Sequence, residues 1–224
     1  MISTPVWLDI VLPCLDEAGA LPVVLAGLPA GSRAVVVDNG STDGSPEVAR
    51  GLGATVVTAP VRGYGSACAA GLDAVTAPVV AFADCDASVD LTDVAALAVA
   101  VRDGDTDLVT TRRRVVGGAR EAGWPPHARV GAWVVARMLG RRAGIALRDV
   151  GPVRIARTGA LRDLGVTDRR SGYPVETVLL AARAGWRVTE ADLPYRPRVG
   201  RSKVTGTVAG TVRAVQDMSR VLAR

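Results

Sequence analysis

The sequence predicts one α/β domain, a mostly parallel sheet flanked by helices. Three observations carry that prediction. Apolar runs and helix-type segments alternate through residues 1–111. The apolar runs are nearly continuous, as in strands covered on both faces, and do not alternate polar with apolar. A chain of 224 residues with 49% hydrophobic content can build one substantial core.

The elements follow in order. Residues 7–13 (WLDIVLP) read as a buried strand and 17–28 as a helix. Residues 33–38 (RAVVVD) form a second strand, closed by the turn Asn39-Gly40-Ser41. Ser41 or Thr42 is placed to cap a helix over 43–52. A strand over 54–58, a helix over 64–75 and a strand over 78–83 (PVVAFA) follow. A helix near 91–102 and a strand near 107–111 complete the regular part. The second half is less regular. It predicts a helix over 127–142, a strand over 150–157, a helix over 174–185 opening on Pro174, a strand over 187–193 and a last helix over 205–222. No repeat or linker divides the chain, so 1–224 is read as a single domain.

Charge is distributed unevenly. Residues 1–111 hold 14 acidic residues against 4 arginines, whereas 112–224 hold 8 acidic residues against 23 basic ones. An acidic half suits a divalent metal, and a basic half suits phosphate or an anionic surface. Lys203 is the only lysine, a bias that a GC-rich genome explains. The cysteines Cys14, Cys68 and Cys85 are few and odd in number, which fits a reducing compartment. No basic-then-apolar leader is seen and no uncharged run reaches about 18 residues, so a cytoplasmic location is expected.

In a parallel sheet, ligands gather at the carboxyl ends of the strands. Polar clusters fall at four such ends, at 14–17, 38–43, 62–66 and 84–88. Asp84-Cys85-Asp86 is the sharpest. Two carboxylates at i and i+2 leave an apolar strand as the chain opens into a loop. Hard cations such as Mg²⁺ or Mn²⁺ take oxygen ligands, often one or two carboxylates plus phosphate oxygens. Asp38 is placed to accept hydrogen bonds from a base. Arg62-Gly63-Tyr64-Gly65-Ser66 opens a helix whose N–H groups are expected near a phosphate or sugar. It has neither the dinucleotide fingerprint nor the P-loop Lys-Ser/Thr.

VLPCLDEAGALPVVL, VVVDNGSTDGS, RGYGSACAAGL and FADCDASVD, in that order, resemble family-2 glycosyltransferases of GT-A fold. DVGPVRIAR, SGYPVETVLLAARAGWRV and PYRPRVGRSKVTGT are similar to the branch that makes polyprenyl- or dolichyl-phosphate sugars. The resemblance spans roughly 7–210. It implies a nucleotide-sugar and metal-binding half at 1–111 and an acceptor-binding half at 112–224. By resemblance, Pro13, Leu15 and Glu17 meet the nucleoside, although Leu15-Asp16 replaces the usual aromatic-Asn. Asp38 matches the base-binding acid, with Arg62 and Gly63 beside the donor. Asp84 and Asp86 match the Asp-x-Asp that holds the metal, with Ser88 as a helper. Arg112, with Arg113 and Arg129 near it, stands where that branch meets acceptor phosphate. Arg201, Ser202 and Lys203 match its basic flap.

The resemblance therefore implies transfer of a hexose from a UDP- or GDP-sugar to polyprenyl phosphate, with a divalent cation and inversion at the anomeric carbon. A phosphate nucleophile is already ionised, its second pKa being ~6, and needs no general base. A hydroxyl acceptor on a soluble metabolite or glycan, the alternative, needs a carboxylate. Glu176 and Asp149 are the candidates. The Glu176-Thr177 pair lacks the Asp that the superfamily often places second, which favours phosphate. The helix at 205–222 and residues 130–139 mix apolar side chains with arginines, as in peripheral contact with the inner face of a membrane. An inactive transferase-like scaffold is a further alternative. Nucleotidylyl transfer is disfavoured because VLPCLDEA lacks that class's Gly-rich opening. Nucleic-acid binding is disfavoured because few aromatics interleave the arginines.

Overall fold

The computed structural model describes residues 5–116, 126–200 and 207–224. Seven strands form one sheet in the order β3-β2-β1-β4-β6-β5-β7. They are β1 (Leu8–Cys14), β2 (Ser32–Asp38), β3 (Thr55–Thr58), β4 (Val79–Phe82), β5 (Leu108–Val115), β6 (Arg154–Arg157) and β7 (Val188–Tyr195). The helices are α1 (Leu21–Ala26), α2 (Ser45–Gly51), α3 (Tyr64–Ala74), α4 (Leu91–Asp103), α5 (Pro126–Ala143), α6 (Thr158–Asp163), α7 (Tyr173–Arg183) and α8 (Val208–Leu222). All strand pairs are parallel except those of β6, which runs antiparallel to both β4 and β5.

The continuous apolar strands are buried on both faces. Alternate residues of β1 feed two cores, with Leu8, Ile10 and Leu12 on one side and Val11 on the other. β1 pairs with β2 in register from Leu8↔Ser32 to Cys14↔Asp38, and with β4 from Leu8↔Val79 to Val11↔Phe82. The carboxyl ends of the three strands therefore reach one rim of the sheet. A part-buried ion pair fixes the opposite end. Asp9, fully buried, accepts from Arg33 at 2.8 Å and from the amides of Thr76 and Ala77 at 2.7 and 2.8 Å. Burial works to raise the Asp9 pKa, but Arg33 and the two amides outweigh it and hold the carboxyl below its usual value.

Three differences from the sequence expectation have physical reasons. Helix α2 begins at Ser45 after Gly44, with no side-chain cap. Ser41 and Asp43 instead reach sideways to the amides of Asp16 and Ala18. The strand expected over 150–157 is confined to β6. Gly151 passes so close to β5 that a Cβ there would lie 1.8 Å from the carbonyl oxygen of Thr111, and Thr111 Oγ1 receives the Val153 amide in place of a regular ladder. Helix α6, absent from the expectation, is a short turn that anchors Arg162 on the carbonyls of Leu72 and Val75.

That close approach gives a test. Gly151→Ala should destabilise the protein by about 2–4 kcal/mol in urea unfolding, because rigid backbone must move. Gly159→Ala, in α6 with open space around it, should be neutral or stabilising by up to ~1 kcal/mol. Equal stability of the two variants would contradict the packing described.

Candidate active site

The loops after β1, β2 and β4 converge with residues from the second half around a cavity of about 680 Å³. Its first wall carries Pro13, Leu15 and Glu17, together with Arg62 and Gly63. Hydrogen bonds staple the 16–18 loop to the 41–45 loop. The Asp16 amide donates to Ser41 Oγ at 3.0 Å, the Glu17 amide to Ser45 Oγ at 2.8 Å, and the Thr42 amide to Asp16 Oδ1 at 2.7 Å. Asp16 adopts a positive φ of 54° to do this. Asp38, mostly buried, accepts from the amides of Gly40 and Ser41 within its own turn. Its neighbour Asn39 faces the cavity and receives the Gly63 amide at 2.8 Å.

The glycines of Arg62-Gly63-Tyr64-Gly65 also serve a close backbone packing that the sequence does not announce. The amides of Gly65 and Ser66 donate to the carbonyls of Arg170 and Arg169. A Cβ on Gly63 or Gly65 would collide with the 168–169 backbone at 2.2 and 2.4 Å. The start of α3 is thus packed against the 168–170 loop, and these two N–H groups already have acceptors.

Asp84 and Asp86 line the floor. Asp86 is buried. Its Oδ1 accepts from the Ser88 amide at 3.0 Å and from Ser88 Oγ at 2.5 Å, and its Oδ2 pairs with Arg198 at 2.7 Å. Ala87 holds a positive φ of 62° between them, a strained conformation for a residue with a Cβ. Burial, and then the charge of Asp86, push the Asp84 carboxyl up to about 6, although Arg113, Arg198 and Arg154 pull the other way. Two hard oxygen donors, one of them poorly hydrated, suit a divalent cation of the Mg²⁺ or Mn²⁺ kind. Among the described residues no third His, Cys, Asp or Glu joins them, so further ligands would come from water or a bound anion.

The basic wall comes from several elements. Arg113 at the end of β5 is held by Asp149, which accepts its side chain at 2.9 Å and its amide at 3.0 Å, while the ring of Tyr195 lies beneath the guanidinium. Arg154 of β6 is 3% exposed and its Nε has no hydrogen-bond partner. Arg198 follows β7, and Arg170 pairs with Asp217 of α8. Sequence reasoning missed Arg154, Arg170 and Arg198. Arg154 was legible only as one letter of a strand, and Arg198 stood just ahead of the Arg201, Ser202 and Lys203 that were chosen; those three lie outside the described residues.

Other expected residues sit elsewhere. Arg112 turns to Asp192 at 2.7 Å and, with Arg113, Arg129 and Asp149, lines a second pocket of about 450 Å³. Glu176 is not among the residues lining the main cavity. Its carboxylate accepts from the Thr167 amide and hydroxyl and from the Asp168 amide, so it holds the loop that α3 packs against. Asp149 is likewise committed to Arg113. Ser88 is buried and acts on Asp86.

The raised pKa of Asp84 makes a prediction with a definite sign. A carboxyl whose pKa rises on folding opposes stability at high pH. The penalty is fully present above the folded value of about 6 and vanishes below the unfolded value of ~3.9. Without metal, Asp84→Asn should therefore be more stable than the parent by on the order of 1–3 kcal/mol at pH 8. The gain should shrink steadily as the pH falls towards 4. Urea unfolding across that range tests it, and a pH-independent difference would contradict it.

The family model described as glycosyl transferase family 2 matches residues 9–164. An uncharacterized glycosyltransferase of Mycobacterium tuberculosis strain H37Rv is 51% identical over 214 residues, covering 95% of this chain and 96% of that one. A dolichyl-phosphate hexose transferase of Haloferax volcanii is 30% identical over 207 residues, covering 91% and 89%. Among solved structures, glucosyl-3-phosphoglycerate synthase from M. tuberculosis, in complex with Mn²⁺, UDP and glucosyl-3-phosphoglycerate, superposes with a TM-score of 0.73 at 24% identity. It covers 96% of this chain and 80% of that one. With the family model spanning most of the sheet and a relative half identical along nearly the whole length, the chain belongs to glycosyl transferase family 2 and has the GT-A fold.

Proposed function

We propose that the chain transfers a hexosyl group from a UDP- or GDP-sugar to an acceptor that carries phosphate, with Mg²⁺ or Mn²⁺ held at Asp84 and Asp86. The observation that carries this reading is one cavity in which an acidic pair on the floor faces arginines from β5, β6 and the segment after β7. A bound divalent cation supplies charge neutralisation for the departing diphosphate. Pro13, Leu15 and Glu17 frame the nucleoside end, Asp38 shapes the turn behind it, and Arg62 closes over it through its bond to the Gly40 carbonyl at 3.0 Å. Arg113, fixed by Asp149, offers a guanidinium to the acceptor phosphate, with Arg112 and Arg129 at the neighbouring pocket.

Two acceptors have this chemistry. The first is a soluble phosphorylated metabolite that reacts through a hydroxyl. Its support is the shared fold of glucosyl-3-phosphoglycerate synthase, solved with phosphoglyceric acid. The second is polyprenyl phosphate. Its support is threefold. The Haloferax relative is named for dolichyl phosphate. Glu176 and Asp149, the candidate general bases, are committed to backbone amides and Arg113, whereas an ionised phosphate nucleophile needs no base. Finally, Val130, Trp133 and Met138 of α5 and Val208 and Val212 of α8 are exposed, with Arg137, Arg141 and Arg213 also exposed on these helices, a combination suited to an anionic bilayer surface. No described helix is long and apolar enough to cross a membrane.

The test uses labelled UDP- and GDP-sugars with Mn²⁺, offering polyprenyl phosphate in vesicles or 3-phosphoglycerate in solution. Label that partitions into organic solvent identifies the lipid acceptor, and label in a water-soluble phosphorylated product identifies the other. Transfer to neither, from protein that also gives no nucleotide-dependent thermal shift, would sink the active-transferase reading and favour a scaffold. Asp86→Ala should lower kcat/KM by about 100-fold or more, from lost stabilisation of the leaving group. The same variant should lose the metal-dependent part of the nucleotide stabilisation, which at 100 times Kd amounts to ~2.7 kcal/mol.

A further inference from the structure

Asp86 already has a cation. Both its oxygens are engaged, Oδ1 by the amide and hydroxyl of Ser88 and Oδ2 by Arg198 at 2.7 Å. The pair is shielded from solvent, with side chains 16% and 7% exposed, so its attraction is only weakly screened. Arg198 is delivered by a strap that leaves β7 and zips along the loop after β4. The Arg196 amide donates to the Ser88 carbonyl and the Val199 amide to the Asp86 carbonyl, each at 2.9 Å. The Arg196 side chain spans Asp90 and Asp93 at 3.6 and 3.5 Å. One further contact, from Arg198 to the Tyr195 hydroxyl at 3.1 Å, orients the guanidinium. Its Nε is buried with no acceptor, so Arg198 is under-bonded where it sits.

A divalent cation on Asp86 and a guanidinium on the same oxygen compete, because they crowd one oxygen and the two charges repel. A metal arriving alone would have to draw Asp86 away from Arg198 with no new anion to replace it. A metal arriving with a nucleoside diphosphate would not, because the phosphate oxygens supply the displaced guanidinium with a new partner.

We propose that Arg198 is the resident counter-cation of Asp86 and is exchanged for the metal when a nucleoside diphosphate enters, so that metal and nucleotide bind with positive coupling. This rests on the metal reading of Asp84 and Asp86 proposed above. It adds that the apo enzyme binds free metal weakly, and that the strap at 196–200 is the part that changes partner. Coupling of this kind is reciprocal: nucleotide tightens metal by the same factor as metal tightens nucleotide.

The test is Mn²⁺ binding, read by the electron paramagnetic resonance of free Mn²⁺ and by calorimetry, with no turnover involved. In the wild type, Mn²⁺ alone should bind weakly and tighten ~10-fold or more when UDP or GDP is added. Arg198→Met keeps the packing of the stem and removes the charge. It should bind Mn²⁺ alone ~10-fold more tightly than the wild type and show little further gain from nucleotide. Arg198→Lys retains the charge and should stay close to the wild type in metal affinity. Mn²⁺ alone should also raise the Tm of Arg198→Met while leaving that of the wild type nearly unmoved, a readout that stands even if the variant is less stable. Equal Mn²⁺ affinity of wild type and Arg198→Met without nucleotide, or a weaker site in the variant, overturns the exchange. Absence of Mn²⁺ uptake by both proteins with either nucleotide present overturns the metal site itself and the exchange with it.

Discussion

Keeping Asp84 and Asp86 side by side at the bottom of a cavity is the demand around which the rest of the structure is arranged. Like charges in a poorly hydrated place repel by several kcal/mol at short range, and burial adds to the cost. The raised pKa of Asp84 records that the demand is only partly met. Arginines answer it from three directions: Arg113 from β5, Arg154 from β6 and Arg198 from beyond β7. The uneven charge of the two halves follows from this. The acidic segment forms the floor, and the basic segment folds over it.

The arginines are in turn held by residues that never reach the cavity. Asp149 fixes Arg113 through both its side chain and its backbone amide. Glu176 fixes the 167–168 backbone, and the loop that follows accepts the amides that open α3. The sequence offers both acids as candidates for proton transfer; in the structure their oxygens accept from amides, a hydroxyl and a guanidinium. A carboxylate at the first turn of a helix, as Glu176 is in α7, is well placed to gather nearby backbone N–H groups, and an acid chosen for its place in a motif carries that ambiguity.

Much of the frame was legible because the parallel strands are uniformly apolar and end in polar clusters. The strands β1 to β5 appear within a few residues of their expected places, and the floor residues Asp84 and Asp86 face the cavity as a strand-end pair should. What was not legible depends on contacts distant in sequence. VRIA gives no sign that β6 runs antiparallel, because direction is decided by the path of residues 126–153 and not by composition. Arg198 could not be separated from the other arginines around it, because only the strap's bonds to the Ser88 and Asp86 carbonyls bring it to the floor. The glycines at 63 and 65 were visible as small residues, but small size suits a close phosphate and a close backbone equally well.

The insertion of β6 between β4 and β5 has a consequence for how the chain comes into being. The strands that precede it in sequence cannot complete their ladder by themselves: β4 has β1 on one side and must wait for Arg154–Arg157 on the other. On the ribosome, the floor of the site emerges long before the strand that covers its edge. An apolar edge left bare in that interval is a place for pairing with the wrong chain. A fragment made of the acidic half alone would keep that edge of β4 bare, although the two halves read as separate in charge.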